Sequence, residues 1–313
     1  MRKALCIGID EYPTSPLHGC VNDAEAISNL LNRHFDSSTN FSIRSLLNQQ
    51  ATKRDVKKAI RELFSGDSEI ALLYFSGHGS YMPSGSSIVT IDGSSGDEGI
   101  SMSDILNDVN NSSAQNKIII FDCCFSGDMG VAHNCASDNC SLAPGVTILS
   151  ASRAKETSRE INGHGVFTNL LCAALEGGAA DLLGRVTPGS LYSYVDQALG
   201  AWDQRPVFKT NVSQFITVRR TNPQIKLEVL HHLTQYFPEP NKDHQLDPSY
   251  EETSSQGTQE HIAIFKDLQQ MVKVGLVLPN NEEHMYYAAM RSQSCRLTPL
   301  GHHYWHLVNE QII

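Results

Sequence analysis

The 313-residue chain contains no apolar run near the roughly 18 residues that a membrane-spanning helix needs, which argues against a bilayer protein. Its N-terminus, "MRKALCIGID", is basic and then apolar. That apolar part is only about six residues long and meets Asp10 and Glu11, so it reads as a first strand and not as a leader. Eight cysteines occur without regular framework spacing, which speaks against a disulfide scaffold and for reduced thiols in a cytoplasmic protein. His133, Cys135 and Cys140 lie close in sequence, but their spacing matches no strong zinc pattern and no metal site is expected from them. Internal repeats are absent. What is present, 40% hydrophobic and 19% charged residues with a net charge of −10, describes a globular chain with room for about two domains.

Short apolar runs near 3–9, 42–47, 70–76, 117–122 and 146–151 alternate with helical periodicities. In 22–35, residues Ala24, Ile27, Leu30, Leu31 and Phe35 share one face, with Asn22 at the N-cap position; in 52–64 Thr52 precedes a stripe of Val56, Ile60, Leu63 and Phe64. Further helices are predicted over 101–109, 165–176 and 188–199. Residues 83–99 read as a hairpin with a Gly/Ser-rich tip. This alternation predicts an α/β fold with a mostly parallel sheet covered on both faces.

Two of the strands end in chemistry. "FDCCFSG" (121–127) places two adjacent cysteines after the β-branched run "KIII", and "IALLYFSGHG" (70–79) ends in a histidine flanked by glycines. In open α/β sheets ligands collect outside the carboxyl ends of strands. A thiol there is only a few per cent ionised at neutral pH unless an imidazole is paired with it, so a Cys and a His at two such ends suit nucleophilic catalysis. Cys6 and Cys172, by contrast, read as small buried apolar residues.

"YFSGHG" with "FDCCFSG" resembles the caspase-type cysteine peptidases, and among them the metacaspases and their bacterial relatives. Their pattern, S-G-H-G followed by D-x-C-x-S-G, fits residues 76–79 and 122–127, and the resemblance extends through "ALCIGIDEY" (4–12), "LHGCVNDAEAISNLL" (17–31), "ILSAS" (148–152) and "GVFTNLL" (165–171), so that it covers roughly residues 1–218. It implies a three-layer caspase-type fold. It also implies a Cys-His dyad of Cys124 and His78, with oxyanion donors at the backbone of Gly79 and Cys124, and leaves Cys123 as a packed thiol. The family's pocket for a basic P1 side chain falls on Cys20, Asp23, Ser76 and Asp122. Two carboxylates suit a guanidinium, and Asp122 by its charge alone opposes an acidic substrate side chain. A plainer reading of the carboxylates is that Asp23 caps the 22–35 helix and Asp122 holds a turn.

The dyad requires no cofactor. Metacaspases often use Ca²⁺; Asp92, Asp97, Glu98 and Asp128 are loop acids of suitable type, without an EF-hand pattern, and calcium is left open. Many caspase-type zymogens are cut in the loop after the nucleophile, but residues 128–146 contain no Lys or Arg. Arg219-Arg220 reads instead as an exposed junction open to proteolysis, with Lys242 as a second such position.

The chain is expected to divide into a peptidase domain, 1–221, and a smaller domain, 222–313. In the latter, a helical stripe (225–237) precedes a polar, flexible stretch (238–259). An amphipathic helix then runs into a strand (261–279), followed by wing strands at 284–290 and 294–298 and a final helix with Pro299 at its first position. The order resembles a winged helix. Its six Lys or Arg against eleven Asp or Glu oppose nucleic-acid binding, so a protein partner or an autoregulatory contact is expected. The expectation is a regulated endopeptidase cleaving proteins after Arg or Lys, with a role in bacterial defence or regulated death as an analogy. The alternative is a non-proteolytic caspase-fold regulator whose winged helix binds DNA or a partner protein.

Overall fold

The computed structural model describes residues 1–82, 85–126, 141–151, 160–161, 164–199 and 206–313. The chain divides into two compact units, one of residues 1–180 and 185–221, the other of 181–184 and 222–313.

In the first unit β1 (Arg2–Gly8) leads through α1 (Cys20–Asn32) and β2 (Ser42–Leu47) to α2 (Lys53–Phe64) and β3 (Ile70–Met82). A hairpin of β4 (Gly85–Ser94) and β5 (Asp97–Ser101) follows, then α3 (Met102–Asn110), β6 (Asn116–Ser126) and β7 (Val146–Ser150). The short pair β8 (Glu160–Ile161) and β9 (His164–Gly165) precedes α4 (Val166–Ala173), β10 (Arg185–Val186), α5 (Pro188–Leu199), β11 (Val207–Asn211) and β12 (Arg219–Arg220). The main sheet runs β11-β7-β6-β3-β1-β2, with β4 on β3 and β5 on β4. Its centre is parallel, and β11 is antiparallel to β7 at one edge.

Both faces of the sheet are buried, and the strand period of two separates them. Leu73, Phe75, Ile119 and Phe121 pack with Val56, Ile60 and Ile105 of α2 and α3. Leu72, Tyr74, Ile118 and Ile120 pack with Ile27 of α1, Leu171 of α4 and Leu191 of α5. This is the three-layer α/β arrangement expected. Two strands are longer than their apolar runs suggest. β3 and β6 continue through the His and Cys motifs, because their parallel pairing extends in register from Ile70↔Asn116 to Ser80↔Ser126.

The start of α1 also differs. The helix begins at Cys20 with Gly19 at the N-cap, so neither Asn22 nor Asp23 caps it. The cap comes from ten residues earlier: Asp10 accepts the amides of Cys20 at 2.8 Å and Val21 at 3.1 Å. A carboxylate there is favoured by the helix dipole as well as by the free N–H groups. At α2, Thr52 accepts the Asp55 amide as expected of an N-cap.

Arg219-Arg220 does not form an exposed linker. It pairs with Arg185–Val186, and the half-buried Arg219 guanidinium donates to the carbonyls of Leu30 (2.8 Å), Arg33 (3.2 Å) and Leu175 (2.6 Å). These carbonyls lie at the C-terminal ends of α1 and α4, where a cation is stabilising.

The second unit begins with two short helices, α6 (Leu227–His231) and α7 (Leu233–Tyr236), broken at His232 where one was expected. Beyond them lie β13 (His244–Gln245), α8 (Gln259–Lys273), β14 (Val277–Pro279), α9 (Met285–Met290), β15 (Ser294–Leu297) and α10 (Pro299–Asn309). The three strands form an antiparallel sheet in the order β13-β15-β14. The polar stretch 238–259 contributes β13 to it and buries Leu246 and Tyr250. Within 284–290, Met285–Met290 form a helix and not a wing strand. Met285, Ala288 and Ala289 are its buried positions, the i, i+3, i+4 spacing of a helix face, and they outweigh the strand preference of the two tyrosines. No helix among the described residues is long and apolar enough to cross a membrane.

Close packing of α1 on β1 requires Gly8. A Cβ there would lie 2.4 Å from the Cys20 carbonyl oxygen and 2.8 Å from the Ala24 Cβ. Gly8→Ala should therefore lift the first turn of α1 and cost about 1–3 kcal/mol of stability, as overpacking does. Denaturant unfolding of the two proteins measures it, and an unchanged midpoint would contradict this packing.

Candidate active site

The register of β3 on β6 sets two pairs side by side: Ser76 with Asp122, and His78 with Cys124. Cys123, one position away, is buried in the core between the sheet and α2 and α3. Strand alternation thus separates the two adjacent cysteines, one committed to packing and the other opposite the histidine in the backbone ladder.

His78 is held from three directions. Its backbone N–H donates to the Tyr12 hydroxyl at 3.1 Å, and the Tyr12 ring lies 4.6 Å from the imidazole, centre to centre. Its Nε2 bonds to the Ser15 carbonyl oxygen at 2.7 Å. A carbonyl only accepts, so Nε2 carries the proton and Nδ1 is the basic nitrogen. Tyr12 donates its own proton to the Val89 carbonyl at 3.0 Å. Gly77 permits this arrangement, since a Cβ at that position would stand 2.6 Å from the Tyr12 hydroxyl. Gly79 pairs with Phe125 on one side and Ile88 on the other.

Beneath this pair lie two buried carboxylates. Asp23, Ser76 and Asp122 are 2%, 1% and 2% exposed. Asp23 accepts from His164 Nδ1 at 2.8 Å, from the Gly165 amide at 3.3 Å and from Ser76 Oγ at 3.3 Å. Asp122 accepts from Thr168 Oγ at 2.7 Å, and the Thr168 hydroxyl in turn meets the Tyr74 hydroxyl at 2.5 Å. Burial first, and then the charge of Asp122, push the Asp23 carboxyl up to about 6, against the hydrogen bond from His164. Two like charges out of water make a strong site for a cation. Cys20 stands at the same place, and burial pushes its thiol well above the ordinary range. Burial likewise drives Cys6, Cys172 and Cys295 up to about 12, so these four thiols are poor nucleophiles at neutral pH.

All four residues of the expected basic-side-chain pocket therefore come together, and the sequence also named the pair beside them. It did not name Asp10, Tyr12, His164 or Thr168 as site residues. Three of these lie inside the quoted segments "ALCIGIDEY" and "GVFTNLL", and His164 stands just ahead of the second, so the signal was position rather than residue type. The loop acids differ. Asp92 accepts the Lys53 amide at 2.8 Å and Asp97 pairs with the Lys53 ammonium. Among the described residues no three His, Cys, Asp or Glu side chains gather as a metal site would require. Asp128, His133, Cys135 and Cys140 lie outside the described residues.

The fold and the paired motifs define a caspase-like α/β domain. Residues 1–227 match the family model of the caspase domain, and the chain belongs to that family, whose chemistry is that of a cysteine peptidase. Its structure is similar to that of a protein from Geobacter sulfurreducens (TM-score 0.53, 17% identity, 71% of this chain and 98% of that one). It is also similar to caspase-1 from Spodoptera frugiperda (TM-score 0.52, 13% identity, 71% and 91% of the two chains). No curated protein matches the sequence.

Tyr12→Phe removes both an acceptor for the His78 amide and a donor for Val89. Leaving such groups unpaired costs about 1–3 kcal/mol, so the variant should melt earlier and shift the His78 ring resonances in NMR spectra. Unchanged resonances would show that Tyr12 does not position the imidazole.

Proposed function

We propose that this protein is a cysteine endopeptidase that cleaves polypeptides after Arg or Lys, with Cys124 as nucleophile and His78 as its acid–base partner. The observation that carries this reading is the register of the central sheet, in which His78 faces Cys124 two positions beyond Ser76 and Asp122. The reacting groups and the charged pocket thereby share one end of the same two strands. In the reaction, the Cys124 thiolate attacks the scissile carbonyl carbon and the displaced electron pair settles on oxygen, near the Gly79 and Cys124 amides. The C–N bond then breaks as His78 protonates the leaving amine. Water, giving its proton to His78, attacks the resulting thioester and releases the acid and the thiol. Asp23 and Asp122 attract the P1 cation, with Cys20 and Ser76 beside them. In this reading residues 222–313 form a winged-helix-like regulatory domain that engages a protein and not nucleic acid.

Cys124→Ala and His78→Ala should each abolish peptide hydrolysis, with the double variant no worse than either, because the two act as a unit. Cys123→Ala should keep most of the activity. A peptide library scanned at P1 should return Arg and Lys, and Asp122→Asn should lower kcat/KM on P1-Arg substrates by roughly 10- to 200-fold, the loss of a charge-assisted hydrogen bond. Preference for Asp at P1, or a dead Cys123→Ala beside an active Cys124→Ala, would overturn the reading.

A further inference from the structure

Asp23 has a neighbour that the proposed pocket does not need for its charge. His164, in the short strand β9, reaches across to α1 and places Nδ1 2.8 Å from Asp23 Oδ1, while its own main-chain neighbour Gly165 donates to Oδ2 at 3.3 Å. The imidazole keeps 29% of its side-chain surface exposed, whereas Asp23 keeps 2%. A half-exposed ring thus closes over a buried acid. Asp122 from β6 opposes the Asp23 charge, while Cys20 of its own helix, Tyr74 from β3 and Cys172 from α4 face it as neutral groups whose ionisation that charge disfavours. Among the described residues the side chains that donate to it are those of Ser76 and His164, and the serine does so at 3.3 Å.

Resting on the reading of a basic-residue pocket, we propose that His164 is a positioning residue for substrate specificity: its Nδ1–H holds the Asp23 carboxylate ionised and turned toward the P1 cation. The carboxylate has two oxygens and several lone pairs, so one edge can stay on His164 and Gly165 while another meets the substrate. Without the imidazole, burial and the Asp122 charge are opposed only by the longer Gly165 and Ser76 hydrogen bonds among the described residues, and Asp23 takes up a proton at a higher pH. A protonated Asp23 no longer attracts a guanidinium. Selectivity for Arg is therefore present above the Asp23 titration, which lies at about 6 with His164 in place, and is lost as the pH falls through it.

The test is the ratio of kcat/KM for two peptides that differ only at P1, Arg against its neutral isostere citrulline, from pH 5 to 9. Wild type, His164→Leu and His164→Gln are compared as full-length proteins. In the wild type the ratio should be large at pH 8 and fall near pH 6. In His164→Leu the fall should move upward by about one pH unit, the worth of one such hydrogen bond. At pH 7 the loss should be roughly twofold, growing to about 10-fold near pH 5, and should lie in KM rather than kcat. His164→Gln, which keeps an N–H donor, should restore much of the wild-type profile, and this guards against a variant that has lost its fold. A large wild-type ratio whose acid limb is unmoved in His164→Leu overturns the inference alone. A wild-type ratio near one at every pH overturns the pocket beneath it, and the inference with it.

Discussion

The parallel pairing of β3 with β6 is the constraint on which the candidate site depends. Both strands are apolar and sealed between helices, so their register is set by burial on two faces. A slip of one residue would exchange the faces, taking Cys123 out of its place in the core and moving Cys124 away from His78 in the ladder. The same register that buries Phe75 and Phe121 therefore also aligns His78 with Cys124 and Ser76 with Asp122. Packing energy and site geometry are here the same quantity, and neither can be altered without the other.

A second organiser is Asp10. Its carboxylate caps α1, its backbone carbonyl accepts from Tyr12 at 2.9 Å and Leu17 at 2.8 Å, and its amide donates to Asn48 at 2.8 Å. The loop so fixed contains Ser15, which sets the His78 tautomer, and Tyr12, which bears on the imidazole ring. The helix so capped carries Cys20 and Asp23. One residue thus ties the two halves of the site, the imidazole and the buried acids, to the end of β1.

Much of this was legible in the sequence, and the remainder failed for identifiable reasons. The central strands could be read because runs such as "KIII" and "IALLYF" are buried on both faces. Thr52 could be read because its partner is three residues away. The cap of α1 could not, since its donor group and its acceptor are ten residues apart and Asn22 offers a plausible local substitute. The lengths of β3 and β6 were hidden because Gly, Ser and His are poor strand formers when considered alone. Only their partners across the ladder hold them extended. Helix α9 reads as a strand from its two tyrosines, because the Met-Ala-Ala spacing becomes decisive only once those three side chains are buried. His164 and Thr168 act on carboxylates more than forty residues away, so their residue types alone do not mark them.

The anchoring of Arg219 has a consequence for the protein's own survival. A peptidase that recognises basic side chains must bind each target arginine extended and free, with its guanidinium withdrawn from other partners. Arg219 spends its donors on three carbonyls at the ends of two helices, and its backbone is paired in a strand. To present it to a neighbouring molecule's cleft, both helix ends would have to be uncapped at once. Arg219, the first of the dibasic pair, is thus a seam closed by the fold, and under the proposed specificity its anchoring would shield that position by the same guanidinium chemistry that selects the substrate.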